Sequence, residues 1–397
     1  MKRLLIFSHA MELGGAEKAL LGLLEAVDTK KYKVDLFLMR HEGELLSYIP
    51  EGINVLPEIP QYASLAVPIS KVLKKGHFLV AYGRYMGKKK AKQKIEELNI
   101  STDNDISLQY SHLYTLPFMP PISNKKYDLA ISFLTPHYFV AERVEAKKKV
   151  AWIHTDYSKV DIDANEQLKM WSRYDRIVSI SKAVTLSFIE KFPELSQKIV
   201  EIGNIVPMSY LENMQGAFSA ESEMPDDGCI RLLSIGRFCT AKNFDNVPDI
   251  CEKLRSQGLN VKWYLIGYGT DEELIKKRIA ESEMQDYVIV LGKKENPYPY
   301  IKACDLYVQP SRYEGKCVSV IEAQILQKPV VITNYATSAS QLEDGVDGII
   351  VPLENAECAA HIASLLKDSD RMSRLSSNCA GRDYSNADEV KVIYQLV

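Results

Sequence analysis

Short apolar runs rich in β-branched residues recur along the chain, and each is followed by a longer stretch of helical character. In the first half they are RLLIFS (3–8), KVDLFLM (33–39), DLAISF (128–133), VAWIH (150–154) and RIVSIS (176–181). In the second half they are IRLLSIG (230–236), VKWYLIG (261–267), YVIVLG (287–292), DLYVQ (305–309), PVVIT (329–333) and GIIV (348–351). Near-continuous apolar strands alternating with helices predict a parallel sheet covered on both faces. The pattern occurs twice, so the expected class is α/β with two Rossmann-like, doubly wound domains. Composition changes around EIGNIVP (201–207) and the polar NMQGAFSAESEMPDDG (213–228), which places a boundary near 206 and a loop or linker over 212–228. The expected domains are therefore 1–206 and 207–383. The C-terminal stretch 384–397, ending DEVKVIYQLV, reads as a helix able to dock on either. Ligands of doubly wound sheets bind beyond the carboxyl ends of the strands, so two such domains facing each other predict a central cleft lined by βα loops.

The length of 397 residues suits two cores better than one, and 46% hydrophobic with 25% charged residues is ordinary for a soluble globular protein. No apolar run approaches the roughly 20 residues of a membrane span, and the opening MKRLLIFSHAMELGG is too short in apolar residues for a secretory signal. A cytoplasmic protein is expected. The seven cysteines (229, 239, 251, 304, 317, 358, 379) are odd in number and never spaced C-x-x-C, which reads as free thiols. Net charge is −3, split as 29 Lys+Arg against 24 Asp+Glu in residues 1–206 and 20 against 28 in the rest. Halves of about +5 and −8 suggest domains with different partners rather than general nucleic-acid affinity.

One segment departs from the alternation. Gln61 to Ile95 contains no acidic residue, while Lys71, Lys74, Lys75, Arg84, Lys88, Lys89, Lys90, Lys92 and Lys94 interleave with Val72, Leu73, Phe78, Leu79, Tyr82, Tyr85 and Met86. The spacing roughly fits a helix, which Gly76, Gly83 and Gly87 weaken. Such a segment is either a solvated basic helix or a surface for anionic lipid or a diphosphate-bearing substrate. RNA binding is a weaker third reading, because no RNA-binding motif accompanies the charge.

Candidate chemistry falls just after strands. Gly14 and Gly15 open a helix where free N–H groups can approach an anion, or are simply turn residues. Arg237 and Lys242 offer two cations in one loop before a helix, suited to a diphosphate, or are surface charges. Gly267 and Gly269 form another tight loop, and His154 ends an apolar strand. Glu314 and Glu322 stand eight positions apart, with S-x-x-E at 319–322 offering a capping-box reading of Glu322. A glycosidase pair needs carboxyls roughly 5–9.5 Å apart. A wholly helical stretch would put these two about 12 Å apart, which argues against that reaction.

Together these segments resemble the retaining glycosyltransferases of family 4, which have the GT-B fold. The resemblance runs over nearly the whole chain through GGAEKALL (14–21), WIHTDY (152–157), GRFCTAKNFD (236–245), LIGYGTDEEL (265–274), the long run from Leu291 to Val331, and EDGVDGIIV (343–351). NPYPYIKACD (296–305) looks especially like bacterial enzymes of capsule, O-antigen or exopolysaccharide assembly. The resemblance implies that Glu314 touches a donor sugar and Glu322 the nucleotide ribose. It places the diphosphate against Arg237, Lys242 and the amides of Gly315, Lys316, Cys317 and Val318, with Gly14 and Gly15 closing from the other domain. His154 would contact the donor sugar, and Gly267 would belong to the donor loop. The donor would be a UDP-hexose or UDP-N-acetylhexosamine, the acceptor a lipid-linked saccharide, and the mechanism metal-independent, with no cofactor and no nucleic-acid partner. Peripheral contact with the inner membrane face would run through residues 71–94. Two departures stand out: Asn204 in GNIVP lacks a following aspartate, and Gly-Lys-Cys replaces the commoner Gly-Phe-Pro after Glu314, so Lys316 bears on which sugar fits. A UDP-N-acetylglucosamine 2-epimerase on the same fold, or a non-catalytic partner subunit, is the competing reading.

Overall fold

The structure is a computed structural model and describes residues 1–99, 104–314 and 316–397. The chain divides into two compact units, Met1–Pro207 with Asn386–Val397, and Met208–Ser385.

The first unit is built on seven strands, β1 (Lys2–Ser8), β2 (Tyr32–Leu38), β3 (Ile53–Val55), β4 (Lys126–Ser132), β5 (Glu145–Ile153), β6 (Arg176–Ser179) and β7 (Ile199–Glu201). They pair in parallel in the order β3-β2-β1-β4-β5-β6-β7. The second unit has six, β8 (Ile230–Ile235), β9 (Val261–Ile266), β10 (Val288–Gly292), β11 (Leu306–Gln309), β12 (Val330–Thr333) and β13 (Ile349–Val351), parallel in the order β10-β9-β8-β11-β12-β13. All eleven apolar runs in the sequence form strands. The two additions, β3 and β7, are three-residue edge strands too short to leave a periodic signal. Helices cover both faces, which is why central residues such as Leu4, Leu5, Ile6 and Phe7 are all fully buried and the strands read as unbroken apolar runs.

Each unit has its own core. In the first, Phe7, Phe37, Tyr62 and Phe139 meet ring to ring at 5.1–6.4 Å. In the second, Trp263, Phe238, Phe244, Ile250 and Leu254 pack with the thiols of Cys251 and Cys358. All seven cysteines are free, and burial pushes Cys251, Cys304 and Cys358 up to about 12, so they behave as small apolar side chains.

Two expectations are corrected. The segment 212–228 is not simply a linker, since the helix Met208–Met214 and a 3₁₀ turn at Ala220–Ser222 occupy part of it. Gly83 and Gly87 do not weaken the basic helix Phe78–Leu98; they let it lie close against the helix Asn104–Thr115. A Cβ on Gly83 would meet the Tyr114 carbonyl oxygen at 2.6 Å, and one on Gly87 the Tyr110 oxygen at 2.5 Å. The C-terminal helix Val390–Gln395 joins the first unit, where Tyr394 stacks on Tyr32 at 4.5 Å and its hydroxyl accepts the Asp28 N–H at 2.8 Å. Among the described residues no helix is long and apolar enough to cross a membrane.

Candidate functional site

The second sheet reverses its strand order between β8 and β11, the topological position beyond whose strand ends ligands of doubly wound sheets bind. Lys242 lies in the loop after β8, in a 3₁₀ turn at Thr240–Lys242, and Glu314 in the loop after β11. Lys242 Nζ donates to Glu314 Oε1 at 2.5 Å, with 17% and 11% of the two side chains exposed. Ser311 Oγ donates to the same oxygen at 2.7 Å, and Thr337 Oγ1 donates to the Glu314 carbonyl at 2.7 Å. Burial opposes the Lys242 charge, but the Cys317 sulfur and the Glu314 carboxylate outweigh it and raise its pKa. Burial pushes the Cys317 thiol up as well, so near neutral pH it is uncharged and Glu314 is the working counter-ion.

A second ion pair holds this one in place. The Arg312 guanidinium forks onto Asp245 at 2.9 and 2.7 Å and donates to the Thr240 carbonyl at 2.7 Å, while the Arg312 N–H donates to the Ala241 carbonyl at 2.8 Å. Each loop is thereby clamped to the other on both sides of Lys242. Sequence reading passed over Arg312 and Asp245, although each sits inside a quoted motif, because nothing local says that they pair.

Glu322 is 4% exposed in the helix Val318–Ile325 and accepts the Tyr298 hydroxyl at 2.8 Å. The capping-box reading fails: the helix is capped at Cys317, and Ser319 lies inside it, its Oγ accepting from Tyr307 at 2.8 Å. The expected amide cradle is also smaller than thought. The Cys317 N–H is already given to Gln341 Oε1 at 2.7 Å, and the Gln341 amide returns a bond to the Cys317 carbonyl at 3.3 Å. Gly315 lies outside the described residues, Lys316 is exposed, and Val318 opens the helix. Arg237 is exposed, with no ion pair among the described residues.

The loops after β8 and β9 are laced together. Phe238 N–H donates to the Tyr268 carbonyl at 2.9 Å, and a Cβ on Gly267 would meet the Gly236 oxygen at 1.9 Å. The close approach that Gly267 permits is therefore between two stretches of backbone. It sets Tyr268, 59% exposed, on the loop beside the one that carries Arg237, with Lys293 Nζ 5.5 Å above its ring. Along the carboxyl edge, β10, β9, β8 and β11 thus present in turn a cation, an aromatic ring, two cations and a carboxylate. Tyr268 and Lys293 were missed; a tyrosine between two glycines after a strand was the available signal.

The first unit is less accommodating to an anion than expected. Gly14 caps the helix Gly15–Ala26, but the Glu17 carboxylate folds over that end: a Cβ on Gly14 would meet Glu17 Oε2 at 2.0 Å, whereas one on Gly15 meets nothing within 4 Å. Burial raises the Glu17 pKa, its own N–H works against this, and nearby Glu12 adds to it. His154 directly follows β5, against Phe133 at 4.7 Å, and burial lowers its pKa to about 4, although the Phe133 backbone favours the charged form. Its Nε2 is buried without a partner. Asn204 lies after β7, and its carbonyl accepts from Asn386 Nδ2 at 3.0 Å, which makes it an anchor for the C-terminal segment.

Residues 218–382, which hold the Lys242–Glu314 pair, match the family model described as Glycosyl transferases group 1. The amylovoran biosynthesis glycosyltransferase AmsK of Erwinia amylovora is 29% identical over 34% of this chain, and the chain spans about a third of its length, 35%. The N-acetylgalactosamine-N,N'-diacetylbacillosaminyl-diphospho-undecaprenol 4-alpha-N-acetylgalactosaminyltransferase of Campylobacter jejuni is 24% identical over 99% of this chain and 97% of its own. The crystal structure of Anabaena HepE in complex with UDP superposes with a TM-score of 0.61 at 17% identity, covering 100% of this chain and 99% of that one. This likeness establishes the GT-B fold of two parallel-sheet, Rossmann-like domains.

Proposed function

We propose that the protein is a retaining glycosyltransferase that moves a hexose or N-acetylhexosamine from a UDP-sugar to a lipid-linked saccharide in surface-polysaccharide assembly. The observation that carries this reading is the Lys242–Glu314 pair at the β8/β11 switch point, inside the segment that matches the glycosyl transferase model. A buried cation beside a carboxylate is what a sugar diphosphate requires. The ammonium meets charge on phosphate, and the carboxylate accepts from sugar hydroxyls. In this reading Arg237 and Lys242 stabilise the nucleoside diphosphate as it leaves the anomeric carbon. Tyr268 supports the base, Glu322 accepts from the ribose, and His154 contacts the sugar. The acceptor hydroxyl attacks from the face the leaving group vacates, and a departing phosphate oxygen takes its proton. The cations replace a metal, so chelator leaves turnover unchanged.

The Campylobacter relative is named for a saccharide on diphospho-undecaprenol, which supports a lipid-linked acceptor here. The helix Phe78–Leu98 supports contact with an anionic bilayer. Phe78, Leu79, Tyr82 and Tyr85 are 56–65% exposed on it, with Lys71, Lys74 and Lys75 before them and Lys88, Lys89 and Lys92, all exposed, after. Arg84 and Lys94 take no part, being tied to the Ser64 carbonyl at 3.0 Å and to Glu97 at 2.7 Å.

The test is release of free nucleotide from UDP-, GDP-, ADP- and dTDP-sugars with membrane lipid extract as acceptor and Glu314→Ala as control. Release from the UDP-sugar that needs the extract and vanishes in the variant is expected. Conversion of the donor without extract would indicate an epimerase. Silence across the panel, with no rise in melting temperature on adding UDP, would mean a protein that does not bind nucleotides.

A further inference from the structure

A groove of about 380 Å³ opens in the first unit between the helix Phe78–Leu98 and the stretch that runs from the helix Asn104–Thr115 into the 3₁₀ turn Leu116–Phe118. Tyr82 and Met86 wall it on one side, and Leu113, Tyr114, Pro117 and Phe118 on the other. No lining residue is charged, and the two tyrosine hydroxyls are the only side-chain groups there that form ordinary hydrogen bonds. A peptide laid in this groove would bury amide N–H and carbonyl groups with almost nothing to pair them, a cost that hydrocarbon does not incur.

The face that carries the groove is graded along its helix. One turn before Tyr82, Phe78 and Leu79 stand exposed. One turn after Met86 come Lys89 and Lys90 on the same side, neither with an ion pair among the described residues. Apolar surface, groove and cations therefore succeed one another over about 18 Å from Phe78 to Lys90, at 1.5 Å per residue. That order matches a molecule with one hydrocarbon chain and an anionic head. A second copy of this chain fits poorly, because Gln61 to Ile95 holds no acidic residue and a two-fold contact would set lysines against lysines. One diphosphate head would leave most of the charge unused. Lys71, Lys74 and Lys75 precede the groove in sequence and Lys88, Lys89 and Lys92 follow it, all exposed, so the cations at both ends suit the many head groups of a bilayer.

We propose that this groove takes up one acyl chain of an anionic phospholipid from the bilayer, with the lipid phosphate at Lys89 and Lys90. The assignment deepens the bilayer contact proposed for this helix and rests on it, while it is independent of the donor chemistry in the second unit. A chain held between the two helices turns adsorption on a surface into a discrete site. Such a site saturates, depends on chain length and fills from monomeric lipid with no bilayer present.

The test is calorimetric titration of the full chain with hexyl, octyl and decyl phosphate, each below its micelle concentration, beside co-sedimentation with vesicles of phosphatidylglycerol and of phosphatidylcholine. Binding should saturate and tighten roughly fourfold per added methylene, the worth of burying one CH₂. Met86→Trp fills the groove and Leu113→Gln makes it polar. Each should weaken decyl phosphate tenfold or more while melting within a few degrees of the parent, and should lower binding to phosphatidylglycerol vesicles severalfold without abolishing it. Affinity that ignores chain length refutes the site on the parent alone, whatever the variants do. Vesicle binding by a parent that leaves every alkyl phosphate unbound, or decyl phosphate held equally by both variants, refutes the groove and leaves the bilayer contact standing. A parent indifferent to phosphatidylglycerol vesicles overturns both. Farnesyl diphosphate bound where decyl phosphate is not, or a parent dimer that Met86→Trp dissociates, overturns the phospholipid as occupant in favour of an isoprenoid lipid or a second copy.

Discussion

Lys242 and Glu314 illustrate what a buried pair does at the scale of a residue. Each would be costly alone, and removing one partner leaves the other charge uncompensated, typically a loss of 3–5 kcal/mol. Lys242→Met should therefore destabilise the protein by about 3 kcal/mol in urea unfolding. Lys242→Met with Glu314→Gln should recover most of that, because both charges are gone, yet nucleotide release should stay absent. Recovery of release in the double variant would make the pair structural only. At Tyr268 the expectation is the reverse. The ring is exposed and supports no core, so Tyr268→Ala should leave the melting temperature within about a degree while weakening UDP binding by roughly 1–3 kcal/mol, the worth of one base–aromatic stack. Equal UDP affinity by calorimetry would remove Tyr268 from the site. Lys242 and Glu314 were legible as candidates from residue type and position. Arg312–Asp245 was not, because a salt bridge spanning 67 positions has no local signature.

At the scale of an element, the helix Phe78–Leu98 is apolar on two sides. One face, with Val80, Ala81, Gly83, Gly87 and Ala91, is buried against neighbouring helices, and the other displays aromatic residues to solvent. The spacing in the sequence fits a helix only roughly for that reason, since two apolar faces blur the contrast that marks an amphipathic helix. The glycines follow the same logic. Gly87→Val should cost about 1–3 kcal/mol by forcing the helix off the Tyr110 carbonyl, measurable as a lower urea midpoint. Phe78→Ser with Leu79→Ser should reduce binding to anionic vesicles at every salt concentration. Neutralising Lys88, Lys89 and Lys90 should reduce it mainly at low salt, by about 1 kcal/mol per charge. Vesicle binding untouched by both sets would return the segment to an ordinary solvated helix.

At the scale of the whole molecule, four histidines of the first unit respond to acid together. Burial lowers His9 and His154 to about 4, and His112 and His137 to about 3. Arg40 pushes His9 further down against the pull of Glu12, His9 and Arg84 do the same to His112, and the other three histidines to His137. All are neutral in the fold near pH 7 and titrate near 6.5 when unfolded, so the unfolded chain binds more protons as pH falls. Stability is fully present above about 6.5 and declines as pH drops toward 4, by up to ~1.4 kcal/mol per pH unit for each histidine. Urea midpoints should hold from pH 7 to 8 and fall between 6.5 and 5, above the ordinary carboxylate range. His112→Gln should flatten that slope by about one proton, and an unchanged slope would show that His112 already titrates in the fold.

The sequence by itself determined the eleven principal strands, the repeated α/β plan and the residue types at the strand ends. Each of these rests on patterns confined to a few neighbouring positions, which local propensity and burial on both faces of a parallel sheet write directly into the chain. Strand order is not local, and only the tertiary structure decided it. That order brought Lys242 to Glu314 across 72 positions, closed Arg312 onto Asp245 across 67, and turned the Cys317 amide toward Gln341 instead of a ligand. A hydrogen bond depends on where its donor and acceptor end in space, and a short stretch of chain carries no record of what another stretch will place beside it.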